Sequence, residues 1–141
     1  MALFSEQEQE QVRLAIEAAE RNTSGEIRVC AEKNCKGDPI ERATSYFYKV
    51  GMDKTTLKNG VLIYIATEDR KFAIIGDSGI NKLVPDDFWE STKVAMLEKF
   101  KSEKLAEGLV TGITMAGEKL KEFFPYQEGD KNELPDEISF M

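Results

Sequence analysis

The run from Val61 to Thr67 constrains this chain more than any other stretch, because it is apolar on both phases of a period-two alternation. A strand built from it must be covered on both faces. Glu68, Asp69 and Arg70 follow as a polar turn, and Phe72 to Ile75 is a second apolar run, so the pair reads as a tight antiparallel hairpin. Upstream, Glu26 to Glu32 alternates Ile27, Val29 and Ala31 with Glu26, Arg28 and Cys30, the pattern of a half-buried strand. Between the two lies Asp38-Pro39, an N-cap followed by a first-turn proline, with Ala43, Phe47 and Val50 continuing at helical spacing to Gly51. That helix is a crossover, so strands one and two are expected parallel, and strands two and three antiparallel.

Three further helices are expected. Ser5 can cap the first, with Glu8 reaching back as a capping box and Val12, Ile16 and Ala19 forming a narrow apolar stripe that ends at Asn22 to Gly25. Beyond Pro85, Phe88, Trp89, Val94, Ala95, Leu97 and Phe100 define a third. Leu105 through Phe124 is a fourth, with Leu109, Ile113, Ala116 and Leu120 inward. The expected fold is α/β, with a small mixed central sheet of three strands and room for a short fourth, flanked by about four helices. Gly108 and Gly112, four apart, predict close packing of a helix on the sheet. From Tyr126 onward, Glu128, Asp130, Glu133, Asp136 and Glu137 have too few apolar partners for a core element, so residues 126–141 read as a mobile acidic tail. Ile138, Phe140 and Met141 at its end offer a docking segment for a partner, or simply fray.

A length of 141 residues suits one compact unit. With 26 acidic against 19 basic residues and a net charge of −7, affinity for nucleic acid is disfavoured. No apolar run approaches the roughly 20 residues of a membrane-spanning helix, and no secretion signal is visible, which predicts a cytoplasmic protein. Cys30 and Cys35 match neither a CxxC redox motif nor a zinc site and read as free thiols in a reducing compartment. The chain has no histidine, which removes histidine-ligated zinc, histidine general-base chemistry and every Ser-His-Asp or Cys-His mechanism. Gly76-Asp77-Ser78-Gly79 therefore cannot be the nucleophile segment of a trypsin-like protease or GDS-type lipase, and the Walker order GxxxxGK[ST] is absent.

The expected topology brings chemistry to one edge of the sheet. The starts of strands one and two and the end of strand three would set Glu26, Asn59 and Asp77 side by side. The flanking loops would add Asp53, Asn81, Asp86 and Asp87. Carboxylates brought that close repel and raise each other's pKa unless donors or a cation compensate. Mixed carboxylate, amide and carbonyl oxygens on loops favour Ca²⁺, with Mg²⁺ or Mn²⁺ as alternatives. A purely structural reading stands beside it: Asp77 stabilises a turn beside Gly76 and Gly79, and Asp86 and Asp87 complement the positive end of the third helix. No EF-hand DxDxDG sequence is present.

In their order and spacing, several short motifs together resemble the TPM domain, a family named for a thylakoid-lumen phosphatase, a photosystem II repair protein and a modulator of acetylcholine receptors. They are Ser24-Gly25-Glu26-Ile27, Lys58-Asn59-Gly60-Val61-Leu62, Asp69-Arg70-Lys71, Gly76-Asp77-Ser78-Gly79-Ile80 and Ala106-Glu107-Gly108-Leu109. The resemblance runs from the first helix to Phe124 and makes residues 1–125 a single TPM-like domain. It implies a three-layer αβα sandwich whose loops bind divalent metal, with acid phosphatase activity proposed for some plant members. Many relatives carry a signal peptide and a membrane anchor with a glycine-rich tail. This chain resembles a stand-alone, bacterial-type member. The family's glycine-tyrosine-glycine at the end of strand three is replaced by Gly76-Asp77-Ser78-Gly79, which removes an aromatic and adds an acid.

The leading functional expectation is a divalent-cation-binding, Ca²⁺-responsive regulatory module in which Glu26, Asp77, Asp86 and Asp87 supply carboxylates and Asn59 or Asn81 secondary oxygens. One alternative is a metal-dependent phosphomonoesterase, in which the same ion polarises a phosphoryl oxygen. Against it, only Lys58 and Lys82 stand near the site to hold a phosphate. The other alternative is a protein-interaction adaptor using the acidic tail with an unidentified protein partner.

Overall fold

The computed structural model describes residues 3–55, 57–126 and 138–140. In chain order it contains α1 (Glu6–Glu20), β1 (Glu26–Glu32), α2 (Pro39–Lys49), a 3-10 turn (Met52–Lys54), β2 (Gly60–Ala66) and β3 (Lys71–Gly76). A short α3 (Ser78–Asn81), then α4 (Glu90–Lys101), α5 (Leu105–Phe123) and a two-residue β4 (Ser139–Phe140) complete it. The four strands form one mixed sheet in the order β3-β2-β1-β4. β1 runs parallel to β2, from Glu26 opposite Gly60 to Glu32 opposite Ala66. β2 and β3 are antiparallel, with Val61 opposite Gly76.

Local chemistry explains where these elements begin. At the start of α1, the Glu8 amide donates to Ser5 Oγ at 3.1 Å and the Ser5 amide donates to Glu8 Oε1 at 2.8 Å, a reciprocal capping box. Asp38 Oδ1 accepts from the Ile40 amide at 2.8 Å, and Pro39 opens α2 with no amide to satisfy. The sheet is covered on both faces, as the apolar run in β2 requires. Ile27 and Val29 of β1 and Val61, Ile63 and Ile65 of β2 pack with Val12 and Ile16 of α1, Met96 of α4, and Leu109 and Ile113 of α5. On the other face Cys30, Leu62, Tyr64 and Ala66 meet Ala43, Tyr46 and Phe47 of α2. Both cysteines are free and buried there, and burial pushes the Cys30 thiol up to about 11.

Four details differ from the sequence reading. A fifth helix, α3, follows β3 directly, because Asp77 caps it through the Ser78 amide. The close-packing glycines of α5 face another helix and not the sheet: a Cβ on Gly108 would strike the Phe100 ring and one on Gly112 the Met96 side chain, both on α4. α4 begins only at Glu90, with Trp89 as N-cap and no side-chain cap, so Asp86 and Asp87 do not cap it. Finally, the described part of the expected tail is paired. Residues 127–137 lie outside the described residues, but Ser139 and Phe140 pair in parallel with Cys30 and Ala31 of β1, Ile138 is buried, and Ser139 Oγ accepts from Arg28 Nε and Nη2 at 2.8 and 2.6 Å. Two residues are too few for a periodicity signal, and the acids around them conceal the strand. Among the described residues no helix is long and apolar enough to cross a membrane.

Candidate functional site

The two ends of the parallel pair β1–β2 carry different chemistry. At the N-terminal end the backbone draws three segments together. The Glu26 amide reaches the Asn59 carbonyl at 3.4 Å, the Asp77 amide donates to the Gly60 carbonyl at 2.9 Å, and the Gly79 amide donates to the Lys58 carbonyl at 2.8 Å. Glu26, Asn59 and Asp77 therefore share one sheet edge, as the topology predicts. Glu26 and Asn59 are deeply buried, at 3% and 1% exposure. Asn59 Nδ2 reaches Ser24 Oγ at 3.5 Å, and the Ile27 amide beside Glu26 is held by Glu20 Oε2 at 2.8 Å.

Asp77 is the half-buried acid on the outer, β3 side of this edge. Its Oδ1 accepts from the Ser78 amide at 2.7 Å, while its Oδ2 is buried and has no hydrogen-bond partner among the described residues. Asn81 is exposed and donates through Nδ2 to the Gly76 carbonyl at 3.0 Å, and its amide oxygen is an acceptor. Asp53 is half-buried in the 3-10 turn, where Lys58 Nζ donates to its backbone carbonyl. Gly79 packs so tightly that a Cβ would meet the carbonyl oxygens of Leu57 and Lys58, the latter at 2.5 Å. Asp86 and Asp87 stand apart: both are exposed, and the Asp87 carbonyl closes a local turn onto the Glu90 amide at 3.0 Å. Among the described residues no group of three or more His, Cys, Asp or Glu side chains is gathered as a metal cluster.

The C-terminal end holds a cluster that sequence reasoning missed. Glu32, the last residue of β1, is 7% exposed. It accepts from Arg42 Nε and Nη2 at 2.9 and 3.0 Å, from Tyr46 Oη at 2.8 Å, and from Tyr64 Oη. Burial pushes the Glu32 carboxyl up, but the Arg42 guanidinium and the two phenols outweigh it and hold the group at about 2. Burial and the anion together raise Tyr46 to about 12 and Tyr64 further. The Asp69-Arg70-Lys71 triplet lies at this same end. Asp69 Oδ2 accepts from the Cys35 amide at 2.7 Å, and Lys71 Nζ donates to the carbonyls of Cys35 and Gly37 at 3.1 and 2.9 Å. Asp69 and Lys71 thus fasten the loop after β1 to the hairpin. The signal for this cluster was an acid closing an apolar strand with tyrosines on the same face of its neighbours.

A family model described as the TPM domain matches residues 1–119. No curated protein matches the chain. Among solved structures, the NMR structure of the BA42 protein from the psychrophilic bacterium Bizionia argentinensis is 46% identical, with a TM-score of 0.93 over 99% of this chain and 97% of that one. The N-terminal domain of a protein from P. gingivalis shares the fold at 20% identity and a TM-score of 0.69, over 87% of this chain and 80% of that one. The N-terminal domain of the cg2496 protein from Corynebacterium glutamicum does so at 17% identity and a TM-score of 0.67, over 84% and 74%. With a family match across most of its length and a near-full-length relative at 46% identity, the chain belongs to the TPM domain family.

Proposed function

We propose that this chain is a divalent-cation-binding TPM domain that takes Ca²⁺ at the edge formed by the starts of β1 and β2 and the end of β3, with a metal-responsive regulatory role. The observation that carries this reading is the buried Asp77 Oδ2, which has no hydrogen-bond donor among the described residues. An acceptor taken from water without a partner costs about 1–3 kcal/mol, more when charged. A hard cation offsets that cost. The groups gathered at Gly79 offer oxygen: the Asp77 carboxylate and the Asn81 amide two residues to either side in the chain, and the Leu57 and Lys58 carbonyls crowded against the glycine, with Asp53 on the adjoining turn as a further candidate ligand. Ca²⁺ accepts such a mixture in irregular geometry. Asp86 and Asp87, exposed on the following loop, would join by closing that loop over the ion, which gives the regulatory role a moving part.

Calorimetric titration with Ca²⁺, Mg²⁺ and Mn²⁺ tests the proposal. Saturable binding is expected, together with a higher melting temperature at saturating Ca²⁺. Asp77→Asn should weaken affinity at least about tenfold, since the ion loses a formal charge from its ligands. Glu122→Gln, on the exposed face of α5, should change nothing. Identical melting with Ca²⁺ and with chelator would sink the reading. Hydrolysis of a phosphomonoester by the loaded protein, abolished by chelator, would replace the regulatory role with the phosphatase alternative. That alternative has less support, because among the described residues the two lysines flanking the edge are not gathered for a phosphate: Lys58 Nζ is engaged with the Asp53 carbonyl and Lys82 is exposed.

A further inference from the structure

The geometry points to a second binding site, at the opposite end of the sheet, for a small apolar molecule bearing a single carboxylate. A cavity of about 300 Å³ opens beyond the C-terminal end of β2, between the β2–β3 hairpin and the junction of α4 with α5. The carboxyl ends of parallel strands are where open α/β sheets usually take ligands. Its volume lies at the small end of the range for ligand pockets. The floor is apolar and fixed. Phe72 and Phe100 meet edge to face with centroids 4.9 Å apart, and Gly108 lets α5 close directly on the Phe100 ring. Leu97 stands on the wall at 40% exposure, an apolar side chain left facing the opening.

The rim has the opposite charge to the molecule. Arg70, Lys71 and Lys101 line the cavity with one acid, Glu103, in a chain whose net charge is −7. Local cations within a repelling acidic surface select an anion and confine it to that spot. Lys71 is committed to the Cys35 and Gly37 carbonyls. Among the described residues Arg70 pairs with Glu103 alone, at 3.6 Å with both side chains 81% exposed. A pair so open to water contributes little, so an incoming carboxylate can take the place of Glu103. Arg70 belongs to the β2–β3 turn and Glu103 to the α4–α5 junction, so their pair bridges the two elements that line the cavity. With Lys71 engaged, the Arg70 guanidinium and the Lys101 ammonium less the Glu103 carboxylate leave one net positive charge, which suits a monoanion, and the aromatic and aliphatic floor suits its apolar body.

The test is an NMR titration of the full chain, ¹⁵N- and methyl-labelled, with octanoate and with 2-naphthoate, using octylammonium as the charge-reversed control. Saturable shifts at Ala66, Phe72, Leu97 and Leu105 are expected with at least one carboxylate, and the stronger of the two identifies an alkyl or an aryl body. Octylammonium should bind at least about tenfold more weakly. Arg70→Gln should weaken carboxylate binding about tenfold, the worth of one charge-assisted hydrogen bond. Glu103→Gln should tighten it, a sign that a merely structural pair would not produce. Leu97→Asp should abolish binding while the melting temperature stays within a few degrees of the parent. No saturable shift with either carboxylate, equal binding of octylammonium, or unchanged affinity in the two charge variants would each overturn the proposal.

Discussion

Glu32 and Asp77 are carboxylates at opposite ends of one sheet, and the protein treats them differently. Glu32 closes β1 and collects four donated hydrogen bonds, two from Arg42 and one each from Tyr46 and Tyr64. Its charge is fully answered from within the chain. Asp77 follows β3 and receives one amide bond on Oδ1, while its other oxygen is buried without a donor among the described residues. A carboxylate saturated by protein donors stabilises the fold and has no capacity for a ligand. One left half-answered costs stability until something positive arrives. The difference separates the two ends into an internal lock and the edge at which we propose that a cation binds.

The lock should give the largest effect. Glu32→Gln removes the anion while leaving a guanidinium and two phenols around it, which should cost about 3 kcal/mol and lower the melting temperature by about 10 °C. The pH profile supplies an independent check. The carboxyl is depressed from 4.5 to about 2 on folding, so its contribution is fully present above pH 4.5 and is lost as pH falls toward 2. Tyr46 moves the other way, from 10 up to about 12, so the phenols stabilise below pH 10 and that stability is lost as pH rises through 10 to 12. Denaturant titrations across both limbs should show each transition in the parent and a flattened acid limb in Glu32→Gln. An unchanged acid limb would mean that Glu32 does not carry the lock.

The opposite end should respond to shape before charge. Gly79→Ala places a methyl on the Leu57 and Lys58 carbonyl oxygens, the latter 2.5 Å away. Backbone atoms cannot swing aside as side chains do, so the loop from Asp53 to Asn59 must shift, at about 2 kcal/mol. The same shift should remove most of the stabilisation by Ca²⁺. Gly37→Ala is the matched control: its φ of 85° makes alanine strained, but nothing lies within 4 Å of the added methyl. It should cost about 1 kcal/mol and leave the Ca²⁺ response intact. If both variants lose the response equally, the edge at Gly79 is not where the ion sits.

Much of this architecture was legible in the residues, because its signals are local. Ser5 and Glu8, Asp38 and Pro39, and the apolar run of β2 each specify their element without help from the rest of the chain. Pairing directions followed from connection lengths, and with them the meeting of Glu26, Asn59 and Asp77 at one edge. What escaped depends on coverage and register. Glu32 fell on the polar phase of an alternating strand, which ordinarily faces water; here α2 roofs that face, and Glu26, Cys30 and Glu32 are all buried. Tyr64 was hidden inside an apolar run, and only the register beside β1 and the path of α2 bring its hydroxyl and that of Tyr46 to one carboxylate. The cavity escaped for a similar reason, since its walls come from a hairpin turn and a helix junction distant in sequence.

The smallest expected effect bears on the tail, and it tells the two ends apart. Ending the chain after Tyr126 removes Ile138, buried to 9% exposure, and the contact of Phe140 with Phe4 at 6.5 Å between ring centroids. Burying an isoleucine contributes about 1.5–3 kcal/mol. Fixing the backbone of the residues that deliver it costs about 1–2 kcal/mol each, so most of that gain is offset and the net loss should be about 1 kcal/mol. Because Ser139 and Phe140 pair with Cys30 and Ala31, next to Glu32, the loss belongs to the C-terminal end of β1. Ca²⁺ affinity at the other end should therefore not change. A truncated chain that melts a few degrees lower yet titrates with Ca²⁺ as the parent does keeps the ends independent; a chain that loses Ca²⁺ affinity would show that β1 couples them.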